Sequence, residues 1–195
     1  VDSSGNITTN ATLDFETANP YIGSACQIGF CVFNKHKITY KYSSLIRPKD
    51  NYFNWYNTKI HGIRKKDVNN KPEFDEVWEK ISKYFHNSHI LAHNASFDMN
   101  VLSHCFLDYK IPFPKMFYSC TYKMSKKAWP GLKSYGLKNL AQILDIKFKH
   151  HDALEDAKVC GVIGRKIFKE FNIKKLNDIE SEFNLKVGSF IKDWK

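Results

Sequence analysis

The order of apolar runs constrains this 195-residue chain most tightly: three strand-like segments come first, and short β-like runs then alternate with helical patterns. Ala11-Thr12-Leu13-Asp14-Phe15 reads as a short strand after a polar lead-in. Runs from Gln27 to Phe33 and from Ile38 to Leu45 flank Asn34-Lys35-His36-Lys37, which suits a hairpin turn. An irregular stretch follows, with a short helical turn at Asn57 to His61 before Gly62. Beyond Pro72, Phe74, Val77, Trp78, Ile81 and Phe85 fall on one helical face. Ile90-Leu91-Ala92 then feeds directly into a helical pattern through Met99, Leu102, Phe106 and Tyr109. A strand is expected at Met116 to Ser119, and helices near Thr121 to Lys127, Leu137 to Leu144 and Asp152 to Phe171. This order implies an α/β domain in which a mixed sheet is covered by helices.

The length suits one domain able to bury a core without disulfides or a structural metal. Cys26, Cys31, Cys105, Cys120 and Cys160 are odd in number and form no C-x-x-C pair, as expected of a reducing compartment. No apolar run is long enough to cross a bilayer, and the segment from Val1 to Asn6 lacks the features of a secretion signal; no membrane association and a cytoplasmic setting are expected. The formal net charge of +10 attracts polyanions, although a solvated lysine-rich exterior accounts for it equally well.

Four acids stand apart by their setting. Asp14 and Glu16 leave the first strand, and strand alternation puts both on one side. Asp98 follows a strand-to-helix junction, and Asp156 lies in the first turn of a long helix. Asp152 with Glu155 has the form of a capping box, which places the helix start at Asp152 and His151 just outside it. Asn94 is the corresponding cap expected ahead of Asp98. Carboxylates gathered in one place repel unless cations neutralise them. Oxygen ligands without thiolates favour Mg²⁺ or Mn²⁺ over zinc, and two such ions can act on opposite sides of a phosphodiester. Taken singly, each acid reads as a surface residue or a helix cap; the combined pattern of the four is far less ordinary.

Three segments together are more specific. Leu13-Asp14-Phe15-Glu16-Thr17-Ala18, His93-Asn94-Ala95-Ser96-Phe97-Asp98 and His151-Asp152-Ala153-Leu154-Glu155-Asp156-Ala157 resemble the three motifs of the DnaQ-like DEDDh exonuclease family, which includes the proofreading epsilon subunit of bacterial DNA polymerase III. The resemblance implies that Asp14, Glu16, Asp98 and Asp156 hold two divalent cations, Mg²⁺ or Mn²⁺, and that His151 is the general base. The sister subgroup has a tyrosine four positions before the last aspartate; here that position is Asp152, so the histidine class is indicated. His150 lies one residue too far from Asp156 for the base and is expected to be a loop or supporting residue.

The resemblance further implies that Thr58-Lys59-Ile60-His61-Gly62-Ile63 lies against the terminal nucleotide, with His61 and Ile60 in contact with it; core packing is the other reading for Ile60 and Ile63. Asn94 and Phe97 are expected at the substrate, with Phe97 lining a base pocket or supporting Asp98. Thr17 and Ala18 approach the terminal sugar through backbone groups. His93 is expected to be a satisfied structural residue. Tyr52, Phe53, Trp55 and Tyr56 either grip a single strand or anchor their loop. Lys147 and Lys149 either solvate the surface or attract phosphates.

The implied fold is ribonuclease H-like, a five-stranded mixed sheet with one antiparallel strand. The expected organisation is a polar lead-in over 1–10, an exonuclease domain over 11–171, and a C-terminal helical tail over 172–195 that packs on the domain or docks a partner through Leu176, Ile179, Phe183, Leu185, Phe190, Ile191 and Trp194. The implied activity is 3′→5′ hydrolysis of single-stranded DNA to nucleoside 5′-monophosphates, in proofreading or repair, with DNA polymerase or replisome association as a candidate setting. Two alternatives stand beside it: an RNA-trimming enzyme like oligoribonuclease or ribonuclease T, and a non-catalytic nucleic-acid-binding module on the same fold.

Overall fold

A computed structural model describes residues 1–34 and 36–190. The strands are β1 (Asn10–Thr17), β2 (Ala25–Phe33), β3 (Ile38–Leu45), β4 (His89–Ala92), β5 (Phe117–Cys120) and β6 (Gly188–Ser189). They form one sheet in the order β3-β2-β1-β4-β5-β6. The β1–β4 and β4–β5 pairs are parallel, whereas β1–β2, β2–β3 and β5–β6 are antiparallel. β2 is therefore the one reversed strand of the first five. The expected five-stranded sheet is corrected to six, because the tail turns back and pairs Ser189 and Gly188 with Phe117 and Tyr118. Two residues are too few to carry strand alternation in sequence.

The helices are α1 (Trp55–His61), α2 (Lys65–Val68), α3 (Phe74–Ile81), α4 (Ala95–Asp108), α5 (Thr121–Ala128), α6 (Leu137–Ile143), α7 (Ala153–Glu170) and α8 (Leu176–Phe183). One apolar cluster joins Phe30, Phe74, Trp78, Phe85, Met99, Leu102 and Phe106, packing α3 and α4 on one face of the sheet. A second, with Leu91, Leu140, Val159, Ile163 and Ile167, packs α6 and α7 on the other. β1 sits at the centre, and only its first half is paired with β4, through Asn10, Ala11 and Thr12. The acids lie on the second half.

Gly29, opposite Asp14 in β2, sets how closely α7 approaches the sheet. A Cβ there would stand 2.0 Å from the Ala153 carbonyl oxygen and 2.3 Å from the Leu154 nitrogen. Only glycine leaves room for the helix start, which is also tied to β2 by the Ala153 N–H donating to Gln27 Oε1 at 3.0 Å. The tail packs on the body: Ile179 and Phe183 join the second cluster and Phe190 the first. Leu185 is partly buried beside the second cluster. Ile191 and Trp194 lie outside the described residues. The lead-in meets the tail, with the Ile7 N–H donating to the Lys174 carbonyl at 2.9 Å.

Candidate active site

Strand alternation puts Asp14 and Glu16 on the same side of β1, both only partly exposed beside buried Leu13 and Phe15. Because β4 has already ended, the Phe15 N–H has no strand partner on that edge and donates instead to Asp98 Oδ1 at 2.9 Å. That bond anchors Asp98, 1% exposed in the first turn of α4, directly against β1. Asp156 enters from the first turn of α7 and is 5% exposed. The helix begins as the capping residue demands: Asp152 Oδ1 accepts from the Leu154 and Glu155 N–H groups at 3.1 and 3.2 Å. Glu155 does not complete a capping box, since its carboxylate accepts from Lys158 at 2.7 Å.

One oxygen from each of Asp14, Glu16 and Asp156 lies within 4.8 Å of the others. Burial is the largest influence on all four acids and raises each pKa. Asp14 is pushed well up by burial and then by Asp98, Asp156 and Glu16; Glu16 reaches about 8 through burial, Asp156 and Asp152. For Asp98 the Phe15 amide partly opposes the rise, and for Asp156 the His150 contact does so. Acids so placed resist ionising together, and a divalent cation relieves the repulsion. The donor set is all oxygen, which fits a hard ion.

His151 adopts a left-handed backbone, φ +64°, just before the Asp152 cap. Its Nδ1 lies 4.0 Å from Glu16 Oε1, with the side chain 43% exposed. Burial and the neighbouring His150 lower its pKa, against a smaller opposite effect of Asp156. His150, expected in a loop or supporting position, holds its Nδ1 3.1 Å from both oxygens of Asp156. Asp14, Glu16, Phe97, Asp98, His151 and Asp156 line a common cavity of 220 Å³. Phe97 is 37% exposed, so it faces this space and does not lie beneath Asp98 in the core.

His93 borders the same cavity with both ring nitrogens engaged, 2.9 Å from Thr121 Oγ1 and 2.8 Å from the Tyr135 carbonyl. Burial lowers its pKa to about 4. The expected Asn94 cap is corrected: its backbone is left-handed, φ +69°, and its side chain makes no capping bond. A residue turned out of the extended region cannot aim its side-chain oxygen at the first helical amides. Its side chain is exposed beside the site.

On the other flank, α1 is fastened to the end of β1. Asn57 Nδ2 donates to the Thr17 carbonyl at 3.1 Å. His61 accepts from the Ile63 N–H at Nδ1, 3.0 Å, so Nε2 carries the proton and donates to the Thr17 carbonyl at 3.0 Å. Burial lowers the His61 pKa. The Ala18 N–H donates to Ser24, and its carbonyl accepts from Asn54, both at 2.8 Å. These bonds engage the Thr17 and Ala18 carbonyls, which hold α1 in place, and the Ala18 N–H, which is tied to Ser24. Ile63 is core, joining Ala18, Cys26 and Val68, whereas Ile60 is 43% exposed. Phe53 packs beside that cluster, while Trp55 and Tyr56 are 71% and 66% exposed at the start of α1. Lys149 and His61 line a neighbouring groove that reaches His151 and Asp152.

The exonuclease family model (RNase_T) matches residues 12–163. The chain belongs to this exonuclease family. It is 30% identical over 191 residues to DNA polymerase III PolC-type of Thermotoga petrophila, a match covering 92% of this chain and 14% of that protein. It is 30% identical over 167 residues to the 3′-5′ exonuclease DinG of Staphylococcus haemolyticus, covering 84% of this chain and 18% of that protein. The chain therefore spans less than a fifth of the length of these relatives. Among solved structures, Exonuclease X in complex with 5′ overhanging duplex DNA has a TM-score of 0.71 at 25% identity, with 90% of this chain and 98% of that one covered. The nuclease domain of 3′hExo, a DEDDh family member bound to rAMP, shares the fold at 16% identity and a TM-score of 0.71, covering 96% of this chain and 98% of that one. Exonucleases of this family use divalent metal ions, and the acidic cluster here matches that use. Among the described residues, no helix is long and apolar enough to cross a membrane.

Proposed function

We propose that this chain is a 3′→5′ exonuclease of the DEDDh class that removes nucleoside 5′-monophosphates from the end of single-stranded DNA. The observation that carries the reading is the convergence of Asp14 and Glu16 from β1 with Asp156 from α7, their oxygens within 4.8 Å, beside His151. Asp98, bound to the β1 backbone, completes the acid set. Asp14, Glu16, Asp98 and Asp156 would hold two hard divalent ions, Mg²⁺ or Mn²⁺. Bound there, such ions supply Lewis-acid polarisation of the phosphodiester and neutralise charge at the leaving oxygen.

The protein's own groups do the rest. His151 accepts the proton of the attacking water; its lowered pKa keeps the ring neutral and able to do so near neutral pH. Attack in line with the 3′ oxygen of the preceding nucleotide then releases the terminal nucleotide. Phe97, which lines the cavity, would pack against the terminal base, with exposed Asn94 as a further contact, and His61, fixed by Thr17 and Ile63, borders the neighbouring groove. Trp55, Tyr56 and Ile60 form an exposed face on which unpaired bases stack without sequence preference.

DNA is favoured over RNA because the relatives near 30% identity include DNA polymerase III PolC-type proteins, and Exonuclease X was solved on DNA. Because those polymerases are several times longer, association with a polymerase is part of the proposal. The test is digestion of matched end-labelled DNA and RNA strands with Mg²⁺, Mn²⁺ or chelator. Stepwise metal-dependent loss of mononucleotides from the DNA 3′ end is expected. Strand binding with no mononucleotide released in either metal refutes it in favour of a non-catalytic module, and faster trimming of RNA overturns the DNA preference.

A further inference from the structure

The reaction proposed above gives His150 no part, yet its surroundings are those of a ligand. Its Nδ1 lies 3.1 Å from each Asp156 oxygen, and its ring stacks on His151 with centroids 3.9 Å apart and planes 24° apart. Consecutive residues on an extended backbone point to opposite sides. The left-handed turn at His151 instead brings the second ring back over the first. One ligand atom from each of His150, His151 and Asp156 consequently lies within 4.8 Å of the other two.

We propose that His150, His151 and Asp156 form a second metal site, selective for a borderline-soft divalent ion of the zinc class, that overlaps the all-oxygen set and competes with it. The two sets share Asp156 and differ in donor chemistry: two imidazole nitrogens and one carboxylate here, three carboxylates there. Imidazole nitrogen suits zinc-class ions, whereas Mg²⁺ prefers oxygen. Tetrahedral zinc with bonds of about 2.0–2.1 Å needs ligand atoms roughly 3.4 Å apart. Closing to that spacing falls to the two imidazoles, whose side chains are 32% and 43% exposed, while Asp156, at 6%, stays in place. His93 borders the cavity too, but both of its nitrogens are already engaged. Glu16, with Oε1 4.0 Å from His151 Nδ1, is a further donor beside the three.

An ion held this way takes the lone pair with which His151 would accept a proton and ties up Asp156. Zinc would therefore block the Mg²⁺-supported reaction. That inhibition rests on the proposed exonuclease chemistry; the binding does not. Cobalt(II) substitution reads the site directly, since four-coordinate cobalt absorbs visible light far more strongly than the six-coordinate ion. Wild-type protein is expected to give the intense spectrum, and His150→Gln to lose it while its apparent Co²⁺ and Zn²⁺ affinities fall by at least about tenfold. With Mg²⁺ saturating, His150→Gln should need at least tenfold more zinc for half-inhibition, each protein compared with its own zinc-free rate. Nitrogen-15 shifts of the wild-type imidazoles provide a readout independent of the variant: Zn²⁺ should move the His150 and His151 resonances together. An unchanged spectrum and affinity in a folded His150→Gln protein, or zinc binding that leaves the wild-type His150 resonance in place, overturns the site. A protein without nuclease activity would remove the inhibition arm alone and leave the spectroscopic arms decisive.

Discussion

Gly29→Ala adds one methyl far from any acid in sequence, and it should disable the site. The new Cβ would lie 2.0 Å from the Ala153 carbonyl oxygen, 2.1 Å from its carbon and 2.3 Å from the Leu154 nitrogen. All three atoms are backbone, so no side chain can swing clear. Restoring an ordinary contact of 3.4 Å from 2.0 Å requires the start of α7 and β2 to separate by about 1.4 Å. Asp156 and His151 ride on that helix start, while Asp14 stands on the strand paired with Gly29. Forced overpacking costs about 1–3 kcal/mol, and an ångström of misplacement at a reacting centre costs about a hundredfold in rate. Urea denaturation should therefore show a lower midpoint, and single-turnover nucleotide release should slow by about two orders of magnitude under conditions where the variant is fully folded. Calorimetric Mn²⁺ titration should weaken in parallel. A Gly29→Ala protein with wild-type midpoint, rate and Mn²⁺ affinity would refute the idea that this close approach places the acids.

His151→Ala should keep its fold and lose about two to four orders of magnitude in turnover; near-normal turnover would remove its assigned role. Because the His151 pKa is lowered, the neutral, proton-accepting ring persists below the usual 6.5, and the acid limb of kcat/KM attributable to it should fall below that value. Under chelation, Glu16, raised from 4.5 to about 8, binds its proton more tightly folded than unfolded. Its contribution to stability is then full below pH 4.5 and is lost as pH rises through about 8, so the chelated protein should become less stable across that window and Mg²⁺ should flatten the slope; thermal unfolding at several pH values checks both. Trp55→Ala should weaken binding of single-stranded DNA by about 1–3 kcal/mol without shifting the unfolding midpoint, as fluorescence anisotropy with chelated protein would reveal.

Much of this was legible from residue order because the relevant signals are local. The D-x-E pair shares a face by strand period alone, and Asp152 caps α7 by a bond spanning only a few residues. The six described elements from β1 to β5 and α4 follow apolar runs that lie close to their observed bounds. What could not be read depends on contacts distant in sequence or on backbone torsions. Asn94 looks like a cap until its left-handed backbone is known. The carbonyls of Thr17 and Ala18 look available until α1 and its cap, some forty residues later, are seen to bond them. β6 gives no alternation to detect, and the placement of His150 on Asp156 depends on the torsion at His151. Gly29 carries no chemical motif at all; only the helix lying against it makes it matter.

The acids come from a central strand and from two helices that lie far apart along the chain, and the last of them seats only once α7 has settled against β2. During synthesis, then, the proposed metal-holding set stays incomplete until α7 has been made and docked. A cation that binds only the finished arrangement would reward that last docking step, so on the proposed chemistry hydrolytic competence and resistance to unfolding would arrive in the same event.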